Sequence, residues 1–402
     1  MRRRFLELIG VAAVIMAVIV LLKLMPVPVA GQASRPAASA GAVAPASPVA
    51  KTPWGEPDLQ GIWNDEFMTP LQRSPKYAGR EFFTEAERLA LDAQRGGIEL
   101  RPRQEKGTER DVAGAYNAVF MSVRPTGRRT SLVVDPPDGK IPPFTPELQK
   151  QMAAEREYRM ALLQATATCK NQEGGCRGGK YGPPSPKYAE VPPRYSTGNI
   201  NRIDNPEDRS RSERCMAAVL PDFTGYRRIV QSPGSVAIFY DVGQGQGWQR
   251  NIPVDGSPHL PGNVRQRFGD SRGRWEGNTL VVDVANFTPR AEFQGSRENL
   301  HLVERWTRLN ANTLEYAVTI EDATTWTKPW TVKQEYTRQP EQANRIYYEP
   351  RCHEGNYGLP GLLAGGRAAD KAFAEGRGPH PASIDNATGM QAPEEATDPL
   401  TR

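Results

Sequence analysis

Apolar and polar residues alternate with a period of two through much of the second half of the chain. Over 279–284, Leu280, Val282 and Val284 fall on one face of a strand, and Thr279, Val281 and Asp283 on the other. Leu314, Tyr316, Val318 and Ile320 repeat the pattern, as do Trp330, Val332 and Tyr336. Segments 226–230, 235–240, 248–254 and 300–309 extend the series, with turns at Asp255-Gly256, Trp275-Glu276-Gly277-Asn278 and Asn310-Ala311-Asn312. Five or more sequential antiparallel strands predict a meander that closes into a lipocalin-like barrel or a strongly curved sheet. A two-sheet sandwich fits the same segments.

The first half is less regular. Pro57 to Trp63 reads as a turn and a short apolar strand, and residues 131–142 as a strand, a turn and an edge segment. Thr84-Glu85-Ala86-Glu87 is a capping box that opens a helix to about Ala93. Thr145-Pro146 places a capping hydroxyl before a proline at the first helical position, which starts the longest helix, to about Thr166. Residues 170–200 form an irregular insertion. The expected fold is therefore mainly β (α+β), with a few peripheral helices and long loops.

The two ends differ from this middle. Met1-Arg2-Arg3-Arg4 precedes an apolar run from Leu8 to Leu22, shorter than the ~20 residues a membrane-spanning helix needs. Residues 1–33 therefore read as a signal peptide cleaved near Ala30 or Ala33, and an uncleaved membrane anchor is the alternative. Residues 34–51 are an Ala/Pro/Ser-rich linker, 52–364 a single β-rich domain, and 365–402 a disordered tail. The setting is periplasmic or secreted, with membrane contact only through the N-terminal segment. A net charge of +5 over 402 residues, with both signs interleaved, gives no footprint for nucleic acid. The 36 Pro and 37 Gly suit short strands joined by structured loops.

Four cysteines in an exported chain imply disulfides, and the preferred pairing is Cys169 with Cys176 and Cys215 with Cys352. A zinc site is the alternative, since His353 follows Cys352, but no CxxC pair supports it. No metal and no cofactor is expected. GQGQG at 243–247 runs into Trp248 and strand-like sequence rather than a helix, and neither a P-loop nor a GxSxG elbow is present.

PDLQGIW at 57–63, RTSLVVDPPDGKIP at 129–142, GDSRGRWEGNTLVV at 269–282, HLVERWTR at 301–308 and CHEGNYG at 352–358 resemble the motifs of a large group of exported bacterial proteins without an assigned activity. The resemblance spans most of the folded region. It implies an extracytoplasmic setting and transfers no catalytic residues.

Candidate chemistry rests on few side chains. His259, His301 and His353 could converge on one site, while His380 lies in the tail. Residues three apart on a strand face opposite ways, so His301 and Glu304 share a site only if a bulge intervenes. Leu300, Leu302, Glu304, Trp306 and Arg308 form one face and His301, Val303, Arg305, Thr307 and Leu309 the other; the first would suit an apolar interior carrying an orienting ion pair, with a cross-strand surface salt bridge as the alternative. His301, Glu304, Arg308 and His353 are the catalytic candidates, expected to border one pocket. Asp270, Arg272, Trp275, Trp306, Tyr316 and Trp330 are the ligand-binding candidates, with Trp326 a further aromatic in the lining. Two functions fit: an exported protein that binds an apolar or aromatic small molecule in a barrel-like pocket, or an exported enzyme acting on such a molecule by His/carboxylate acid–base chemistry, with Asp270 as a further carboxylate.

Overall fold

The computed structural model describes residues 50–99, 124–194, 200–241, 247–340 and 352–386. The expected signal peptide, nearly all of the linker, most of GQGQG and the last part of the tail lie outside the described residues. The strands are β1 (Gly61–Asn64), β2 (Val133–Asp135), β3 (Tyr226–Ser232), β4 (Ser235–Asp241), β5 (Gly247–Pro253), β6 (Asp270–Glu276), β7 (Thr279–Ala285), β8 (His301–Asn310), β9 (Thr313–Glu321) and β10 (Trp330–Arg338).

They form one mainly antiparallel sheet in the order β5-β4-β3-β1-β10-β9-β8-β7-β6, with β2 paired to β10 beside β1. This order is a meander wrapped into a nearly closed nine-strand barrel, because β5 and β6, neighbours in sequence, form its two facing edges. The single continuous sheet excludes the two-sheet sandwich. No backbone ladder joins β5 to β6. Side chains close the seam instead: Arg250 Nε on β5 donates to Ser271 Oγ on β6 at 2.8 Å. Gly273 on β6 permits the approach, since a Cβ there would stand 2.9 Å from the Ile252 side chain.

β6 adds a strand at 270–276 that the alternation did not single out. Charged residues in GDSRGR hide its alternation, yet Ser271, Gly273 and Trp275 pair with the inward Val284, Val282 and Leu280. Elsewhere, parity places the faces as the pattern requires. Leu302, Glu304, Trp306 and Arg308 on β8 and Leu314, Tyr316, Val318 and Ile320 on β9 all point inward and are buried.

Helices flank the barrel. Thr84 and Glu87 make the reciprocal bonds of a capping box at 3.3 and 2.8 Å, and Glu85–Glu99 follows, longer than expected. Thr145 caps Leu148 at 3.3 Å, opening Pro146–Leu163, which ends short of Thr166; Ala167–Lys170 is a separate short turn of helix. The described residues continue past the expected end of the domain. Gly358–Ala374 is a helix that crosses the boundary at 365, with Leu363 and Gly366 buried, and Asn386 N donates to Asn201 Oδ1 at 2.7 Å. Its Ala/Gly composition hid it: a Cβ on Gly366 would meet Ile203 at 2.7 Å, so the small residue is there for packing. Among the described residues no helix is long and apolar enough to cross a membrane.

Both expected disulfides are present, Cys169–Cys176 and Cys215–Cys352, and no free cysteine remains. Such bridges persist in an oxidising compartment. The second spans 137 residues and the first 7. In the chain-entropy treatment, replacing Cys215 and Cys352 by Ser should therefore cost about 5 kcal/mol, and replacing Cys169 and Cys176 about 2 kcal/mol. Urea unfolding of the two double variants checks the order, and thiol titration of denatured, unreduced protein should read near zero.

Candidate functional site

The barrel interior is occupied by the chain's own rings. Trp63, Trp306 and Trp330 are fully buried, as are Tyr240, Tyr316 and Tyr336, none more than 1% exposed. Trp306 lies 4.2 Å from Tyr316 and 6.3 Å from Tyr336 between ring centres, and Trp326 meets Trp330 edge-on at 5.4 Å. Phe223 and Phe293, from loops, extend this packing to Tyr316 and Trp330. Trp306, Tyr316, Trp326 and Trp330, expected to line an open pocket, are thus core residues. Trp275 is half-buried and packs against the same cluster.

Arg227 and Arg250 stand with Arg308 within this apolar interior, and the alternation Trp248-x-Arg250-x-Ile252 was the overlooked signal for one of them. Arg250 forms a two-pronged pair with Glu304, Nη1 to Oε1 at 3.0 Å and Nη2 to Oε2 at 2.6 Å. Tyr316 donates to Glu304 Oε1 at 2.8 Å, and Tyr240 lies 3.3 Å from Arg250 Nη1. Burial disfavours the charge on Arg250, but Glu304 and the phenols outweigh it and hold the guanidinium protonated. Burial, reinforced by Glu304, pushes the Tyr316 phenol well above its ordinary range. Arg227 is fully buried, with its guanidinium 4.5 Å from the Tyr336 ring centre and 5.2 Å from that of Tyr240. Its Nη2 donates to the Asp222 carbonyl at 2.6 Å.

The four catalytic candidates do not border one pocket, and strand parity is the reason. Glu304 and Arg308 point inward, but Arg308 is tied to backbone carbonyls of Asp58, Asn310 and Ala311 at 2.6, 3.2 and 3.1 Å. No bulge turns His301 toward them, so it stays on the outer face. His353 is exposed beyond Cys352. Asp270 and Arg272 pair with each other at 2.9 Å, also on the outside of the barrel.

That outer face carries a chain of alternating carboxylates and imidazoles across four strands. His259 Nδ1 lies 2.8 Å from Asp270, and its Nε2 lies 2.8 Å from Asp283 Oδ1. His301 Nε2 lies 3.1 Å from Asp283 Oδ2, and its Nδ1 lies 3.2 Å from Glu321. Two of the three histidines thus converge, on a carboxylate whose outward parity was legible. Among the described residues no group of His, Cys, Asp and Glu is arranged to hold a metal ion. The hydrogen bond to Asp283, aided by Glu321 against partial burial, raises the His301 imidazole to about 8. The same bond, against desolvation and with help from His259, lowers Asp283.

Open space lies outside the barrel. Segments 81–83 and 128–130 pair as a short ribbon, through Phe83 N to Arg128 O and Thr130 N to Glu81 O, both at 3.0 Å. Beside it is a cleft of about 370 Å³ lined by Phe67, Phe82 and Leu132 together with Arg128, Arg129, Lys333, Glu315 and Glu335, in which Arg129 pairs with Glu81 and Lys333 with Glu315. Phe82 is 45% exposed, and the guanidiniums of Arg128 and Arg129 stand 5.9 and 5.0 Å from its ring centre.

Two measurements test these assignments. Arg250→Ala leaves Glu304 charged and buried without its partner, so it should destabilise by about 3–5 kcal/mol in urea unfolding, whereas Arg250→Met with Glu304→Leu should lose less. For His301, a folded value near 8 above an unfolded one near 6.5 means its stabilisation is complete below pH 6.5 and is lost as pH rises through 8. NMR should find the His301 imidazole titrating near pH 8 and falling toward 6.5 in Asp283→Asn; a midpoint of 6.5 in the native protein would contradict the bonded chain.

No family model and no curated protein matches this chain. Among solved structures it is similar to an asparagine-to-alanine mutant of the fluorescent protein UnaG, at 14% identity and TM-score 0.19 over 29% of this chain and 72% of that one. It is also similar to secretory abundant heat soluble protein 4 from Ramazzottius varieornatus, at 12% identity and TM-score 0.19 over 29% and 69%. Likeness at this level carries no inference about activity.

Proposed function

We propose that this is an exported protein that binds a small apolar or aromatic molecule bearing a negative charge, and that it does so in the Phe82 cleft rather than inside the barrel. The observation that carries the reading is the exposed Phe82 ring between two guanidiniums, over a floor of Phe67 and Leu132. An apolar body gains by covering exposed aromatic surface, and an acidic group gains from the flanking cations. Export to the periplasm or beyond is supported by the basic and apolar N-terminal sequence together with the two disulfides.

A second reading, an exported enzyme using His301 and Asp270 in acid–base steps, draws on the outer chain of imidazoles and carboxylates. It ranks second because both nitrogens of His259 and of His301 face carboxylates, which leaves neither ring a free nitrogen to take a substrate's proton.

Anilinonaphthalene sulfonate, an aromatic anion, is a suitable probe. Native protein should bind it saturably, and Phe82→Ala should weaken binding about 10-fold, the equivalent of one lost aromatic contact of about 1.4 kcal/mol, without lowering the melting temperature. Equal affinity in the variant would refute the cleft as the site.

A further inference from the structure

A larger cleft, about 640 Å³, opens at one end of the barrel between the start of helix Pro146–Leu163, the 295–299 turn and the connection from β9 to β10. Its wall depends on Gly295, in the left-handed region at φ +90°, where a Cβ would already stand 3.2 Å from Leu148. Two arginines line it. Arg194 Nη2 donates to the Gly295 carbonyl at 3.2 Å, and Arg297 Nη1 donates to the Pro289 carbonyl at 3.1 Å. Neither forms an ion pair with a described carboxylate, although most arginines of this barrel that line its core or outer face do.

The acidic residues beside them do not neutralise the pair. Asp322 is spent on its own turn: Oδ2 accepts from Ser296 and Thr325 at 2.6 and 2.7 Å, and Oδ1 accepts from the Thr324 hydroxyl and N–H at 2.6 and 2.8 Å. Glu147 and Glu298 are exposed, at the rim. Burial and then the like charge of Arg194 disfavour the charge on Arg297, only partly offset by Glu292, Glu155 and Glu298, so an anion placed between the guanidiniums would relieve both. The positive end of the 18-residue helix opens at the same cleft, with Thr145 bonded across to the Thr324 carbonyl at 2.8 Å.

We infer that this cleft is a second binding site, which takes a small oxyanion, a carboxylate or a phosphate group, between Arg194 and Arg297. Among the described residues each guanidinium makes one backbone bond and keeps further N–H donors, and planar forks suit two-oxygen acceptors. The rim glutamates repel polyanions, so the fit is to a compact, singly presented acidic group.

The inference is independent of the Phe82 cleft, and the experiment separates them. Inorganic phosphate and acetate are titrated separately into native protein, with calorimetry and the arginine Nε–Hε resonances as readouts. Saturable binding of either supports the site and identifies the headgroup. Arg297→Gln should weaken that binding at least about 10-fold, with anilinonaphthalene sulfonate binding unchanged. Arg194→Gln gives the same test should the first variant fold poorly. Absence of saturation by both anions, or binding indifferent to both substitutions, would overturn it.

Discussion

The barrel closes across two edges that share no backbone hydrogen bonds, and Arg250 is the group that crosses between them. From β5 it reaches Ser271 on β6 and then Glu304 on β8, so one side chain ties the ends of the sheet together through its interior. A guanidinium in an apolar core is costly unless its donors are used, and here Ser271, Tyr240 and both oxygens of Glu304 engage four of the five. The aromatic packing follows from this arrangement. Tyr316 bonds to Glu304 and thereby sets the position of Trp306, while Tyr240 stacks on Trp248 at 4.2 Å.

The interior is spent on closure, and the clefts described above lie on the outside of the barrel. Aromatic residues that would line a ligand cavity in an emptier barrel are here less than 2% exposed. The open surfaces are instead built where irregular segments cross the outside of the sheet: the ribbon carrying Phe82, and the turn holding Arg297 against a helix start. Loops supply most of the side chains that line these clefts and the barrel supplies the backing. The outer chain of imidazoles and carboxylates has a different character. Its members satisfy one another across β6 to β9 and stabilise that wall below pH 8, in the range where His301 carries its proton.

Strand parity was written in the sequence, because a period of two decides which face a residue takes whatever the strand pairs with. It set Glu304 and Arg308 on the face opposite His301 and put Asp283 on the polar face of its strand, while the pairing of β8 in the sheet decided which face looks inward; the expected cysteine pairing is the one the structure contains. Local rules also located the helix starts at Thr84 and Thr145, since caps act within four residues. Tertiary structure alone decided which side chains meet. Arg250 and Glu304 are 54 residues apart and lie on strands that are not neighbours in the sheet, and His259 reaches Asp283 from a loop. No periodicity encodes such distances. The helix Gly358–Ala374 escaped for the same reason: its small residues are weak formers, and it is their close packing, Gly366 against Ile203, that gives them a place.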